Sequence, residues 1–281
     1  MTDLLAQAAL WLGAAANAVG RLLLAPIAFL PGWLSVTVAG AVAGVLLLAV
    51  FKYTSNQRAI KRVRDDINAH LLALKLFKDS VAVSLKAQGR ILIGAFRLFV
   101  LAIVPILVMA LPVTLFVAQL GLWYQARPLR IGEEAIIVLS LSGASGSSVP
   151  VVNLQPTQSV EVTAGPVRVQ SKREVCWNVR PRSSGSHRLE FQVGGQSHTK
   201  EIAVGEGSMR VSRLRPGWDC MSILLNPWEP PFRPGDPVRS IEIDYPERSS
   251  WICGTDSWVI YWFAVSMVAA LCFRRALNVA V

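Results

Sequence analysis

The chain has 281 residues, of which 53% are hydrophobic and only 16% charged, with 28 Lys/Arg against 18 Asp/Glu for a formal net charge of +10. That balance points to an integral membrane protein. The charge is uneven: residues 52–97 hold ten Lys/Arg against three Asp, whereas residues 125–256 hold fifteen basic and fourteen acidic side chains. Basicity confined to one segment argues for a membrane surface and against a nucleic-acid partner.

Residues 1–31 read as an interfacial amphipathic segment. Leu4, Leu5, Ala8, Trp11, Leu12, Ala15 and Val19 recur at helical spacing, Arg21 interrupts the apolar run, and Pro26 and Pro31 break the stretch after it. This pattern suits a helix lying on the membrane better than one crossing it, although a fourth span with the N-terminus inside is the competing count. No charged segment precedes it, which argues against a cleaved signal peptide. Residues 32–52 form the first predicted span, because Trp33 to Phe51 is an uncharged run of 19 residues, close to the roughly 20 that cross a bilayer core. Gly40 and Gly44 make a GxxxG there, which is either a close helix contact or a chance product of abundant Gly and Ala.

Residues 53–97 read as a basic amphipathic helix, or a nearly unbroken pair of helices. Ile60, Val63, Ile67, Leu71, Leu74, Phe77, Val81 and Leu85 are three or four apart, and no Gly or Pro occurs between Ile60 and Gly89. Lys61 with Asp65, Arg62 with Asp66 and Lys75 with Asp79 are one turn apart and predict helix-supporting ion pairs. Leu72 and Leu76 widen the apolar face, so it must rest on something. Arg58, Lys61, Arg62, Arg64, Lys75, Lys78 and Lys86 are the candidate contacts, either to anionic headgroups or to a partner such as the ribosome. Residues 98–124 are the second predicted span, containing the 26-residue uncharged run Leu98 to Trp123. Pro105 and Pro112 free backbone carbonyls there, and with Thr114 and Gln119 leave a polar seam. The excess of seven positive charges between the two spans belongs on the cytoplasmic side, which places Trp33 and Trp123 outside.

After Trp123 the hydrophobic period changes from 3.6 to 2, and residues 125–208 are predicted to be an extracytoplasmic all-β, immunoglobulin-like sandwich. Ala135–Leu141, Val149–Leu154, Ser159–Thr163, Val167–Gln170, Glu174–Val179, His187–Phe191 and Gln196–Val204 are the expected strands, with Gly194-Gly195 as a hairpin turn and Trp177 in the core. Residues 209–256 form a Trp- and Pro-rich membrane-proximal segment, although Ser240 to Tyr245 looks like one more strand. Residues 257–274 are a short third span, with Trp258, Tyr261 and Trp262 at one end and Arg274-Arg275 at the other, and residues 275–281 are a cytoplasmic tail.

No nucleophile elbow, phosphate-cradling loop, HExxH or CxxC occurs, so no catalytic, cofactor-binding or metal-binding residue, no cofactor and no small-molecule substrate are predicted, and the protein is not expected to be an enzyme. His187 and His198 flank the Gly194-Gly195 hairpin without carboxylates at ligand spacing. Cys220 and Cys253 both fall in the outer compartment, where a disulfide is permitted.

In its order of parts the chain resembles the YidC/Oxa insertase superfamily, in particular the branch of archaeal YidC-like proteins and the core subunit of the ER membrane protein complex. The likeness rests on a first span followed at once by Lys52, Tyr53 and a basic helical run from Arg58, a second span after that run, and a last span opening Ser257, Trp258 and continuing Tyr261, Trp262, Phe263. The resemblance implies a three-span bundle with a polar groove that lowers the cost of moving a client's hydrophilic segment into the bilayer, without a cofactor. Ser35, Thr37, Thr114 and Gln119 are the groove residues this chain offers. Two functions stand open: insertion or assembly of membrane-protein clients at the bacterial inner membrane, and a membrane-anchored scaffold or accessory subunit that binds a partner through its β domain.

Overall fold

The computed structural model describes residues 2–24, 30–76, 81–143, 150–207, 209–248, 257–277 and 279. Among the described residues, six helices and eight strands run in the order α1 (Thr2–Leu24), α2 (Gly32–Thr54), α3 (Gln57–Leu76), α4 (Val81–Tyr124), β1 (Ala135–Leu141), β2 (Val152–Leu154), β3 (Val160–Val169), β4 (Glu174–Pro181), β5 (Gly185–Val193), β6 (Gln196–Val204), β7 (Leu214–Arg215), α5 (Cys220–Leu225), β8 (Val238–Ile243) and α6 (Ser257–Phe273). They divide into two compact units, one of Met1–Ser35 with Thr114–Ile260, the other of Val36–Val113 with Tyr261–Val281.

In the first unit, β3-β4-β1-β8-β7 form a five-stranded sheet and β2-β5-β6 a three-stranded one, with every pairing inside them antiparallel. Both sheets contribute to one core, because alternation turns Ile137, Leu139, Val175, Trp177 and Val179 of one and Leu189, Phe191, Val193 and Ile202 of the other inward. Trp177 meets Phe191 edge to face at 5.5 Å, which is how the large indole fills the space. The β5–β6 hairpin turns on Gly194 and Gly195 at φ 57° and 84°, a pair of positive values that glycine adopts without strain.

The boundary expected at residue 208 is corrected by β8, which lies between β1 and β7 and buries Val238, Ile241 and Ile243 in the same core. The expected strands Ser159–Thr163 and Val167–Gln170 are one strand, β3, whose register shifts between Val162 and Ala164 and again between Ala164 and Val167. Bulges absorb the extra residues without ending the strand.

Helix α1 runs unbroken past Arg21 to Leu24. Apart from Leu24 at its end, the buried residues described on it are small, Ala6, Ala9, Gly13 and Gly20, while Leu4, Leu5, Trp11, Leu12 and Val19 are exposed. Ala6 and Ala9 pack against Ile223 of α5. Three longer bonds fasten the helix within the unit: Trp218 Nε1 donates to Asp3 at 3.2 Å, Asn17 donates to the Pro227 carbonyl, and Arg210 Nη2 donates to the Gly20 carbonyl at 3.2 Å. Helix α5 itself starts at an Asp219 cap, whose carboxylate accepts from the Ser222 N–H at 2.9 Å, and that bond holds the carboxyl below its ordinary range.

In the second unit α2 and α6 meet through glycine. A Cβ at Gly40 would lie 3.1 Å from Val265, and one at Gly44 would lie 2.2 Å from the Ser266 carbonyl oxygen, so both members of the GxxxG are contact residues. Thr37 and Tyr261 share a hydrogen bond of 2.8 Å beside that contact. The basic connector is a pair of helices, since α3 ends at Leu76 and the stretch from Val81 belongs to α4. Helix α4 has 44 residues, about 66 Å at ~1.5 Å each, with Gly89, Pro105 and Pro112 inside it. Among the described residues two helices, α2 and α4, are long and apolar enough to cross a membrane, and α6 is a shorter apolar helix.

Candidate functional site

Where α3 passes α4, Gly94 removes the side chain that would collide with Ile67: a Cβ there would lie 2.6 Å from Ile67 Cγ1. The close approach leaves a recess of about 260 Å³ lined by Val63, Asp66 and Ile67 of α3 and Arg90, Ile93 and Arg97 of α4. Arg90 and Arg97 share a helix face because seven residues make almost two turns. On that side of α4, Ile93 in the recess wall and Val100 and Val104, one and two turns beyond Arg97, are exposed, whereas Leu92 and Phe99 are turned to the opposite side of the helix. Two cations, one carboxylate and a continuous apolar helix surface therefore adjoin. Arg97 is the last charged residue before the uncharged run, and that position, two turns from Arg90, was the signal in the sequence that could have found them.

The residues expected to line a polar groove are used inside the chain. Ser35 is buried; it accepts from Tyr124 Oη at 2.7 Å and donates to the Gly32 carbonyl at 2.8 Å. Gln119 is buried and donates to Asn17 Oδ1 at 2.6 Å, while its own Oε1 has no partner among the described residues. Thr37 is bonded to Tyr261, and Thr114 is half-buried on α4. Asn17 and Tyr124, which spacing alone did not single out, and Tyr261, expected there as an interfacial anchor, are thus part of the polar architecture.

On the basic segment, Arg58, Lys61, Arg62, Lys75 and Lys86 are exposed, Arg64 is half-buried, and Lys78 lies outside the described residues. The expected ion pairs of Lys61 with Asp65 and Arg62 with Asp66 are not formed among the described residues, since an exposed pair gains little over hydration, and Asp66 lines the recess instead. Asp79 lies outside the described residues, as does the Gly/Ser-rich loop around Ser145. Cys220 is a free thiol on α5, and Cys253 lies outside the described residues. His187 Nε2 donates to the Ser183 carbonyl, 2.9 Å away, and His198 packs edge to face on Phe232 at 5.4 Å, where burial lowers its pKa. Among the described residues no group of three or more His, Cys, Asp or Glu is placed to hold a metal.

The first unit carries a buried ionic cluster. Lys200 is fully buried on β6 and donates to Glu229, to the Ser212 carbonyl at 2.7 Å and to the Glu201 carbonyl at 3.3 Å. Glu229 also accepts from Ser212 Oγ at 2.6 Å and from the Glu201 N–H at 3.1 Å. Burial lowers the Lys200 pKa, and Glu229 opposes that shift.

The turn from α4 into β1 is held by Arg127, whose guanidinium grips Glu133 at 2.7 and 2.8 Å, while the Arg130 N–H adds a bond of 2.9 Å. These donors, Arg127 first, lower the Glu133 pKa from 4.5 to about 2. A carboxylate whose pKa is depressed by folding stabilises the fold fully above its unfolded pKa, and the contribution vanishes as pH falls through the folded value. Glu133→Gln should therefore cost about 1 kcal/mol at neutral pH, discounted for partial exposure, and the gap from the parent should shrink steadily below pH 4.5. Urea unfolding of both proteins across that range checks it; a gap independent of pH refutes it.

The described features define a helical protein with two helices of membrane-crossing length and an antiparallel two-sheet region. No family model matches the chain, and no curated protein matches it. Among solved structures it is similar to a crystal structure of domains 4 and 5 of the S-layer protein SbsC, at 17% identity and a TM-score of 0.23, over 29% of this chain and 48% of that one. A likeness of that size carries no argument about fold or function.

Proposed function

We propose that the protein is an integral membrane protein that assists the insertion or assembly of other membrane proteins, in the manner of the YidC/Oxa superfamily, without covalent chemistry and without a cofactor. On this reading α2, α4 and α6 cross a bacterial inner membrane with the N-terminus out and the C-terminus in, and α1 lies at the outer interface. The basic face of α3 then meets anionic headgroups in the cytoplasm, and the two sheets form an immunoglobulin-like sandwich outside.

The observation that carries the reading is the recess of Arg90, Arg97 and Asp66, continued along the same side of α4 by exposed Ile93, Val100 and Val104. A client's hydrophilic segment costs several kcal/mol for each polar group left unsatisfied in hydrocarbon. Charged groups at the start of an apolar helix surface give such a segment an intermediate station, with hydrogen-bond donors on one side and apolar contact for its flanking helix on the other. Each arginine is worth about 1 kcal/mol to an anionic segment, so Arg90→Leu with Arg97→Leu should lower client insertion roughly thirtyfold in proteoliposomes. Undiminished insertion by the double variant, at equal protein content, would overturn the proposal.

A scaffold function is the second reading, favoured by β3, an edge strand with Val162 and Val167 exposed. Such an edge offers backbone groups and apolar contacts to a partner strand. Loss of activity on substituting Val162 and Val167, with the arginine variant unaffected, would select it.

A further inference from the structure

The first unit holds a second, half-open recess of about 220 Å³, lined chiefly by Ser186, Glu201, Met209, Arg210, Ser212 and Trp228. Its two charged walls are held in place by neighbours. The Arg210 guanidinium carbon lies 5.1 Å from the Trp123 ring and 5.3 Å from the Trp228 ring, and Nη2 donates to the Gly20 carbonyl at 3.2 Å. Two indole faces and a carbonyl keep the cation at that position. Glu201 is oriented by Trp228, whose Nε1 donates to Oε2 at 2.9 Å, and its side chain keeps 36% of its surface exposed. Arg188 approaches the other carboxylate oxygen only to 4.0 Å. Behind the recess, the Glu201 N–H and the Ser212 hydroxyl are both bonded to Glu229, so the backbone carrying these groups is anchored by the buried Lys200–Glu229 pair.

A recess with one fixed cation, one fixed carboxylate and an indole between them suits a ligand that bears one negative and one positive charge a few bonds apart. A purely anionic group would be attracted by Arg210 and repelled by Glu201; a purely cationic one would meet the reverse. Trp123 stands in the last turn of α4, a helix of membrane-crossing length, and paired tryptophans are typical of the headgroup level. We infer that this recess binds a phosphoethanolamine group, the zwitterionic head of a membrane phospholipid, with its phosphodiester on Arg210, its ammonium on Glu201 and its glycerol end toward Trp123. The inference rests on the proposed membrane setting of α4.

The test is native mass spectrometry of the full chain purified in detergent, titrated with phosphatidylethanolamine and phosphatidylglycerol of the same acyl chains. The parent should retain one phosphatidylethanolamine in about tenfold preference, the scale of one charge-assisted hydrogen bond. Glu201→Gln, which keeps an acceptor for Trp228, should bring the preference to about unity, and Arg210→Gln should lose both lipids. Equal retention of the two lipids by the parent, or an unchanged preference in Glu201→Gln, would overturn the inference, and because the glutamine variant alters only one partly exposed oxygen it stays informative if Arg210→Gln fails to fold. Soluble O-phosphoethanolamine distinguishes the source: displacement of the lipid supports the headgroup as a sufficient ligand, and its failure supports the intact lipid. Carbonate extraction of cell membranes tests the membrane setting separately, because release of the protein would sink that setting whatever the lipid titration reads.

Discussion

Replacing Glu229 with alanine should destabilise the two-sheet region by about 3–5 kcal/mol, the usual cost of removing one partner of a buried ion pair. Lys200 has no exposed surface, and its remaining contacts are the Ser212 and Glu201 carbonyls and, more distantly, the Ser212 hydroxyl at 3.4 Å. Without the carboxylate a buried ammonium must stay charged in an apolar setting or give up its proton. Burial already lowers its pKa while Glu229 is present, so the variant should drive it further in that direction. The same substitution also orphans the Glu201 N–H and the Ser212 hydroxyl, which both use Glu229. Lys200→Met combined with Glu229→Met removes the unpaired charge but not those two orphaned donors, so it should recover all but about 1–3 kcal/mol. Urea unfolding of the single and double variants measures this directly. A single variant within about 1 kcal/mol of the parent would mean that the pair is a dispensable contact.

Gly44→Val should separate α2 from α6. The clash is with backbone, because a Cβ at Gly44 falls 2.2 Å from the Ser266 oxygen and 2.9 Å from its carbonyl carbon and Cα, and no side-chain rotation can clear it. Overpacking of this kind costs about 1–3 kcal/mol or more where the neighbour cannot yield, and here the Thr37–Tyr261 hydrogen bond beside the contact would be lost with it. Gly40→Ala should be milder, since the nearest atoms are 3.1–3.2 Å away and include the Val265 side chain. Gly89→Ala has nothing within 4 Å and lies inside a helix, so it should be neutral or stabilise by up to about 1 kcal/mol. Thermal unfolding of the three variants in detergent gives the order, and a Gly44→Val protein as stable as Gly89→Ala would contradict the close α2–α6 contact.

Local periodicity made most elements readable in advance. Strands β1 and β6 have the bounds expected from alternation, and the Gly194-Gly195 turn joins β5 to β6 as its composition implied. The elements that were missed are short. Helix α5 has six residues and β7 two, too few to show a period, and each exists because a neighbour supplies the contacts: α1 for α5, and β8 for β7. In α1 the large apolar residues Leu4, Leu5, Trp11, Leu12 and Val19 carry the helical period, yet before Leu24 the buried residues are Ala6, Ala9, Gly13 and Gly20, because small side chains let another element come close.

The sequence by itself determined the two long apolar helices, the basic helical segment before the second of them, the change to alternating strands after Trp123, and a glycine pair suited to close packing. All of these arise from runs, periods and local turn chemistry within a few residues. Only the tertiary structure decided which charges matter. Alternation already put Lys200 on the inward face of β6 with Ile202 and Val204, but its partner lies 29 residues away in a segment without periodicity. Arg210 likewise gains its place from Trp123, Trp228 and Gly20, and Arg90 and Arg97 from the helix that Gly94 admits beside them. A charge is costly or useful according to what surrounds it, and those surroundings come from parts of the chain that meet only on folding.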